Sequence, residues 1–230
     1  MDATPGLRSL MQRIYGELPP GDIPWNIDTP PGQLVELVVS GRVRPCAAVD
    51  LGCGAGNYAV WLASRGFDVT GIDISETALA HGRRLCESAS AGWAHEPVGT
   101  RDSRGTCRFM VADMVAAVPL RDRCFDFAFD WEVLHHIFPE DRPRYVANVH
   151  RLLRPGGTYY SVCFSETDPQ LSAGGKYWRS PLDTVLYLSS ESELRALFEP
   201  RFHLDSLAII EVAGKRVPHL AVEALMTRLE

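Results

Sequence analysis

The chain has 230 residues, a formal net charge of −6 and 46% hydrophobic residues. That length suits one α/β domain with a core of real size, and the acidic balance argues against a general nucleic-acid surface. The opening Met1-Asp-Ala-Thr-Pro5 lacks the apolar core of a signal peptide, and no apolar stretch approaches a membrane span, so a cytoplasmic protein off the membrane is expected.

Residues 7–18 place Leu7, Leu10, Met11, Ile14, Tyr15 and Leu18 near helical spacing, which predicts a short amphipathic helix. Residues 19–31 are too proline-rich for a helix and read as an ordered loop carrying Ile23, Trp25 and Ile27. Gly32 to Ser40 reads as a helix that precedes the first strand and packs on the sheet, with Leu34, Val35, Leu37 and Val38 on its apolar side.

The stretch from Ala47 to Ala59 organises the rest. An apolar run reaches an acid, Asp50; Gly52, Gly54 and Gly56 follow at alternate positions; a helix opens at Asn57. Strand, glycine turn and helix begin a nucleotide-binding βαβ unit, in which glycines let the backbone approach a ligand and the helix offers unpaired N–H groups. A dinucleotide fingerprint is G-x-G-x-x-G. Here Asn57 stands at its third glycine and Gly56 comes one residue early. An acid two residues before the first glycine suits an ammonium rather than a pyrophosphate. Seventeen residues beyond Gly56, Asp73 ends a second apolar run, where an acid accepts hydrogen bonds from ribose hydroxyls.

Ser75 is a natural N-cap for a helix over Glu76 to Glu87, and residues 88–106 read as a long loop. That loop joins a helix to a strand, so in a parallel sheet it lies at the amino edge, away from ligands. Cys107 to Ala112 reads as the third strand, ending at Asp113 and Met114; Asp113 is a site residue or a turn cap. Phe125 to Trp131 is the fourth strand, its poor alternation that of a strand buried on both faces. Glu132-Val-Leu-His-His-Ile137 follows at the carboxyl edge. Glu140 to Tyr145 leads into a helix through Leu153, Arg154-Pro-Gly-Gly157 turns the chain, and Thr158 to Phe164 is the fifth strand. Ser165 to Leu182 is a second long loop, on the ligand side, carrying Lys176, Tyr177, Trp178 and Arg179. Ser190 to Leu197 is a helix capped by Ser189 or Ser190 with Glu193 nearby. His203 to Val212 and His219 to Leu225 are the last strands.

The six cysteines (Cys46, Cys53, Cys86, Cys107, Cys124, Cys163) show no C-x-x-C pair and no zinc spacing. They read as reduced, mostly buried thiols, with Cys53 a small filler. No metal-ligand cluster appears beyond isolated acids, so no metal is expected.

Asp50 with its glycine loop, Asp73, Asp113, FDFAFDWEVLHHI and DRPRYVANVHRLLRPGG occur in an order that resembles the class I S-adenosylmethionine-dependent methyltransferases. The alternative is another Rossmann-like protein. The resemblance implies a seven-stranded, mostly parallel sheet of order 3-2-1-4-5-7-6, helices on both faces, and an edge hairpin. It implies one domain over 1–230, with 1–45 as a helical and loop cover and 46–230 as the core. It assigns Asp50, Gly52, Gly54, Gly56 and Asn57 to the methionine part of S-adenosylmethionine, and Asp73 with Ile74 to the ribose. Asp113 with Met114 would meet the adenine. Trp25 and Trp131 would face the sulfonium, where aromatic rings make cation–π contacts; ordinary burial is the alternative for each.

Within class I the chain most resembles the thiopurine, thiol and tellurite methyltransferases. Ile23-Pro-Trp25, Phe129-Asp130…His135 and the ending Gly214-Lys-Arg-Val-Pro-His219-Leu-Ala carry this. Trp131 and Glu132 depart from the group's usual Arg-Gly after the aspartate. The implied activity is methyl transfer to a small molecule, foremost the sulfur of an aromatic or heterocyclic thiol or a dithiol metabolite, leaving S-adenosylhomocysteine. A thiol, with an unperturbed pKa of about 8.5, needs little base; an oxygen acceptor needs one within reach. His135 and His136 are the candidate catalytic bases, with packing under the loop as the alternative. Glu132, Tyr177 and Trp178 are candidate acceptor contacts. A small-molecule O-, N- or C-methyltransferase and a cofactor-binding protein without catalysis are the competing readings. A monomer or homodimer is expected, without nucleic-acid or membrane partners.

Overall fold

The computed structural model describes residues 4–93 and 105–230. Seven strands form one sheet in the order β3-β2-β1-β4-β5-β9-β8, and β6 and β7 pair separately. The expected order is recovered, its last two strands being β9 and β8. The chain divides into two compact units, Met1–Ala112 and Asp113–Glu230.

The first unit opens with α1 (Thr4–Glu17), a 3-10 turn (Pro20–Asp22) and α2 (Gly32–Val39). Met11, Ile14 and Tyr15 form the buried stripe of α1. β1 (Ala47–Leu51), α3 (Asn57–Ser64), β2 (Asp68–Asp73), α4 (Glu76–Trp93) and β3 (Cys107–Val111) follow. β1 pairs parallel with β2, and β2 with β3. All three strands therefore end on one edge, and Asp50 and Asp73 reach it together. Ser75 Oγ accepts from the Ala78 N–H at 3.2 Å and starts α4 as read.

Two expectations in this unit need correction. α4 runs past Glu87 to Trp93. Ser88, Ala89, Ser90 and Ala91 tolerate a helix, and no proline intervenes before Pro97. The remainder of the expected loop, 94–104, lies outside the described residues. The reading of six reduced thiols also fails for two of them: Cys86 of α4 is bonded to Cys107 of β3 across a Cα–Cα distance of 6.7 Å. Their 21-residue separation carries no pairing signal; the helix packed beside the strand creates it. Among the described residues, Cys46, Cys53, Cys124 and Cys163 are not in a disulfide.

The second unit holds β4 (Phe125–Trp131), a 3-10 turn (Leu134–His136), α5 (Arg142–Leu152) and β5 (Leu153–Phe164). β4 and β5 are parallel, with Phe125 paired to Leu153 but Phe127 to Thr158. The Pro-Gly-Gly turn is thus a bulge inside a strand rather than a break before it, with Gly156 at φ 76°. The segment read as one loop over Ser165 to Leu182 contains β6 (Tyr177–Arg179), which pairs antiparallel with β7 (Val185–Tyr187). Three-residue strands are too short for alternation to register. α6 (Glu191–Phe198) begins with a reciprocal cap. Ser190 Oγ accepts from the Glu193 N–H at 3.2 Å, and Glu193 Oε2 accepts from the Ser190 N–H at 2.9 Å. β8 (Phe202–Val212) and β9 (His219–Arg228) form an antiparallel hairpin, and β9 joins β5. Among the described residues, no helix is long and apolar enough to cross a membrane.

Candidate active site

Gly52, Gly54 and Gly56 all take positive φ, 68°, 52° and 77°, so the loop after β1 curls its backbone through left-handed conformations that favour glycine. Gly54 is demanded twice. A Cβ there would lie 2.5 Å from the Tyr15 hydroxyl, which in turn accepts from the Trp25 indole N–H at 3.0 Å. At Gly56 a Cβ would strike the Phe109 ring at 2.6 Å.

The Asp73 carboxylate lies under this loop. Oδ2 accepts from the Gly54 N–H at 2.9 Å and Oδ1 from the Ser75 N–H at 2.8 Å. Burial raises its pKa, against these backbone bonds and one from Ile74. With three backbone donors on its two oxygens, the carboxylate retains acceptor capacity for a ligand. Asp50 is buried within β1. Burial and the charges of Asp50 and Asp73 push the Cys53 thiol well above its ordinary value; it stays protonated and fills space, 2.8 Å from where a Cβ on Gly71 would be.

The Asn57 side chain serves the preceding loop. Its amide donates to Asn26 Oδ1 and Ile27 O, both at 3.1 Å, and to Asp28 Oδ1 at 3.3 Å. Asn26 is itself buried and donates to Pro20 O at 3.1 Å. The proline-rich segment with the half-buried Trp25 is thus tied to the first residue of α3.

In the second unit Glu132, His135 and His136 follow the carboxyl edge of β4. Glu132, just past β4, takes φ 62° and donates its N–H to Val162 O at 2.8 Å. A residue with a Cβ pays about 1–2 kcal/mol for that conformation. The resembled group has glycine here; this chain carries a carboxylate on a backbone of the kind glycine favours. Burial raises the Glu132 carboxyl to about 7, against a hydrogen bond from the Trp131 side chain.

His135 is buried, 2% exposed. Its ring stacks on Phe164 with centroids 4.5 Å apart and meets His136 edge-on at 4.7 Å. Its Nδ1 accepts a long bond, 3.5 Å, from the Phe164 N–H. Burial lowers its pKa well below the usual value, helped by His136, Arg142 and His219; burial takes His136 to about 4. Both imidazoles are neutral at neutral pH and bind protons weakly. Each is therefore a weakened base, and His135 is packed against Phe164 and His136.

Residues 49–161 match the family model described as a methyltransferase domain. That segment belongs to the methyltransferase domain family. The resemblance to class I S-adenosylmethionine-dependent methyltransferases therefore stands, and the family's cofactor is S-adenosylmethionine. A thiocyanate methyltransferase of Brassica oleracea is 30% identical over 148 residues, 64% of this chain and 59% of the relative. A 2-heptyl-1-hydroxyquinolin-4(1H)-one methyltransferase of Mycobacteroides abscessus is 28% identical over 167 residues, 71% of this chain and 67% of the relative. The chain spans less than two thirds of the length of the plant relatives it matches first. The structure of a Burkholderia thailandensis 1,6-didemethyltoxoflavin-N1-methyltransferase, with S-adenosylhomocysteine bound, covers all of this chain and 90% of its own. Its TM-score is 0.75 at 20% identity, and it shows the fold alone.

The other expected site residues have varied surroundings. Asp113 Oδ1 accepts from the Val115 N–H at 2.9 Å, so one oxygen caps a turn. Met114 is buried, and its carbonyl accepts from Asn148 at 2.8 Å. Ile74 is half-buried beyond β2. Trp131 is half-buried, its ring tilted against Tyr160 with centroids 6.4 Å apart. Tyr177 is 51% exposed and packs on Phe138 and Tyr187. Trp178 pairs with Leu186 inside the hairpin. Lys176 is held by Glu166 and Glu193.

Several residues of consequence were not legible. Arg142 is 4% exposed and donates to Ile137 O at 2.8 Å, Leu134 O at 3.1 Å and Ser189 Oγ at 3.0 Å. It thereby fastens the turn that bears both histidines. In sequence it is one charge in Asp-Arg-Pro-Arg, as exposed helix starts have. Asp130 is buried under the hydroxyls of Tyr145, Tyr159 and Ser161, and burial lifts it to about 6. Asp168 accepts from the Gln170, Leu171 and Leu220 N–H groups and pins the loop after β5. Tyr15 looked like one more apolar position of α1.

Proposed function

We propose that this chain transfers a methyl group from S-adenosylmethionine to the sulfur of a small acceptor. An aromatic or heterocyclic thiol or a dithiol metabolite is the favoured class. We read residues 1–230 as one catalytic domain, cytoplasmic, monomeric or homodimeric.

The observation that carries the reading is the Asp73 carboxylate clasped by the N–H groups of Gly54 and Ser75 beneath a left-handed glycine loop. That donor set fits the cofactor. Asp50 would take the ammonium, the loop N–H groups the carboxylate, and Asp73 with Ile74 the ribose. Asp113 and Met114 would take the adenine, and Trp25 and Trp131 would screen the sulfonium from water. When bound, the cofactor supplies an electrophilic methyl group. The chain's own contribution is positioning and desolvation.

Two facts favour sulfur. Burial lowers both histidines and so weakens them as bases for a hydroxyl, and the Brassica relative is named for a sulfur-containing anion. A hydroxyl acceptor is the second reading, favoured by the hydroxyquinolone named for the mycobacterial relative. The test is release of S-adenosylhomocysteine by purified protein with thiols, dithiols, phenols, N-hydroxyquinolones and amines. Turnover confined to sulfur acceptors is expected. Turnover of phenols, N-hydroxyquinolones or amines with silent thiols would reverse the assignment.

A further inference from the structure

We infer that Glu132 takes the proton of the methyl acceptor, so that the acceptor is protonated sulfur, a neutral thiol, rather than a standing anion. This rests on the sulfur-methylation reading.

Three observations converge. First, Glu132 is one of only three non-glycine residues with positive φ among the described residues, with Arg123 and Asp183. It occupies the carboxyl end of β4, the strand edge where ligands bind in open parallel sheets. Backbone strain kept at such an edge marks function. Second, its carboxylate is half-buried, with the Trp131 side chain as hydrogen-bond partner. Third, the neighbouring groups are engaged or unsuited. His135 and His136 are weakened as bases by burial. Asp130 is covered by three hydroxyls. Tyr160 of β5 donates to Glu223 of β9 at 2.5 Å. Cys163 is buried and bonded to Ser189.

The step balances. The S–H bond breaks and its proton goes to a Glu132 oxygen. The sulfur electron pair forms the new S–CH3 bond as the methyl leaves the sulfonium, whose sulfur keeps the bonding pair and departs as neutral S-adenosylhomocysteine. Glu132 then returns the proton to water. A carboxyl near 7 is within about 1.5 units of a thiol and about 3 units of a phenol, which matches it to sulfur. Near-neutral pH governs its charge state. Burial opposed by the Trp131 bond accounts for it, while Glu223 is engaged by Tyr160 and both histidines stay uncharged. Once ionised, Glu132 repels an anionic acceptor.

The test compares wild type, Glu132→Gln and Glu132→Gly, with 2-mercaptoethanol and with thiocyanate, across pH 5.5 to 9. For the wild type and the thiol, kcat/KM should rise through a limb near 7. Glu132→Gln should lose that limb, keep only the thiol's own ionisation, and fall about 100-fold at pH 8. Thiocyanate transfer should improve in Glu132→Gln. An unchanged limb and rate in Glu132→Gln overturns the inference and leaves sulfur methylation standing; so does wild-type preference for thiocyanate at pH 8. If no sulfur acceptor turns over, the sulfur reading fails, and the limb is sought with whichever protic acceptor reacts. A readout independent of turnover is unfolding. Glu132→Gly relieves the left-handed backbone and should raise the urea midpoint while abolishing the limb. An unraised midpoint denies the strain and overturns the inference.

Discussion

Replacing Gly54 by alanine sets a backbone cost and a steric cost at one atom. At φ 52° an alanine costs about 1–2 kcal/mol. Its Cβ would also lie 2.5 Å from the Tyr15 hydroxyl but 3.5 Å from Tyr15 Cζ, an ordinary contact. To reach ordinary separation the hydroxyl must retreat by about 1 Å, which breaks its 3.0 Å bond from Trp25 and costs about 0.5–1.5 kcal/mol. Gly54→Ala should therefore destabilise by about 2–3 kcal/mol. In a Tyr15→Phe background the offending oxygen is gone, and the same substitution should cost only the backbone share. Urea unfolding of the four proteins closes the cycle, with an expected coupling of about 1 kcal/mol. Strict additivity, or a Gly54→Ala cost below about 0.5 kcal/mol, would refute the packing of α1 against the glycine loop.

Asn57→Ala removes the amide that ties Asn26, Ile27 and Asp28 to α3. Cleavage within residues 19–31 by a nonspecific protease should speed up and cofactor binding weaken; equal cleavage rates would show the segment is held elsewhere. His136 binds its proton more weakly folded, at about 4 against a usual 6.5, so the unfolded chain takes up more protons between those values. Its contribution to stability is full above pH 6.5 and is lost as pH falls towards 4. The stability of wild type relative to His136→Gln, from urea titrations at pH 7 and 5, should therefore shrink at the lower pH, and a constant difference would contradict the burial. The Cys86–Cys107 bond closes a loop of 21-residue separation, worth about 3 kcal/mol on chain-entropy grounds. A reductant should lower the thermal midpoint of the wild type and leave Cys86→Ser unmoved.

The legible part of this protein is the part written in local order. Asp50, the glycines and Asp73 announce strand, turn and strand because each residue type is required by its own backbone or by its nearest neighbours. The fourth strand ends at Trp131 as read, its four aromatic residues and Ala128 marking a strand buried on both faces despite Asp126 and Asp130. Ser190 and Glu193 advertised their cap three residues apart. Where expectation failed, the deciding contact was distant in sequence or the element too short. β6 spans three residues. The cysteine pair depends on a helix resting beside a strand.

The same division separates the site's composition from its chemistry. Local pattern sufficed for the family and its cofactor, and it placed Glu132, His135 and His136 just beyond the carboxyl end of β4. It ranked the histidines above the glutamate because an imidazole's ordinary pKa suits proton transfer at neutral pH. Burial, which is a property of everything packed around a group, lowers both imidazoles and raises the carboxyl, which is why we place the glutamate first. Sequence by itself determined which elements form and which ligand the glycine loop invites, since those follow from spacing along the chain. Tertiary structure alone decided which side chain can hold a proton, because desolvation depends on neighbours that lie far away along the chain.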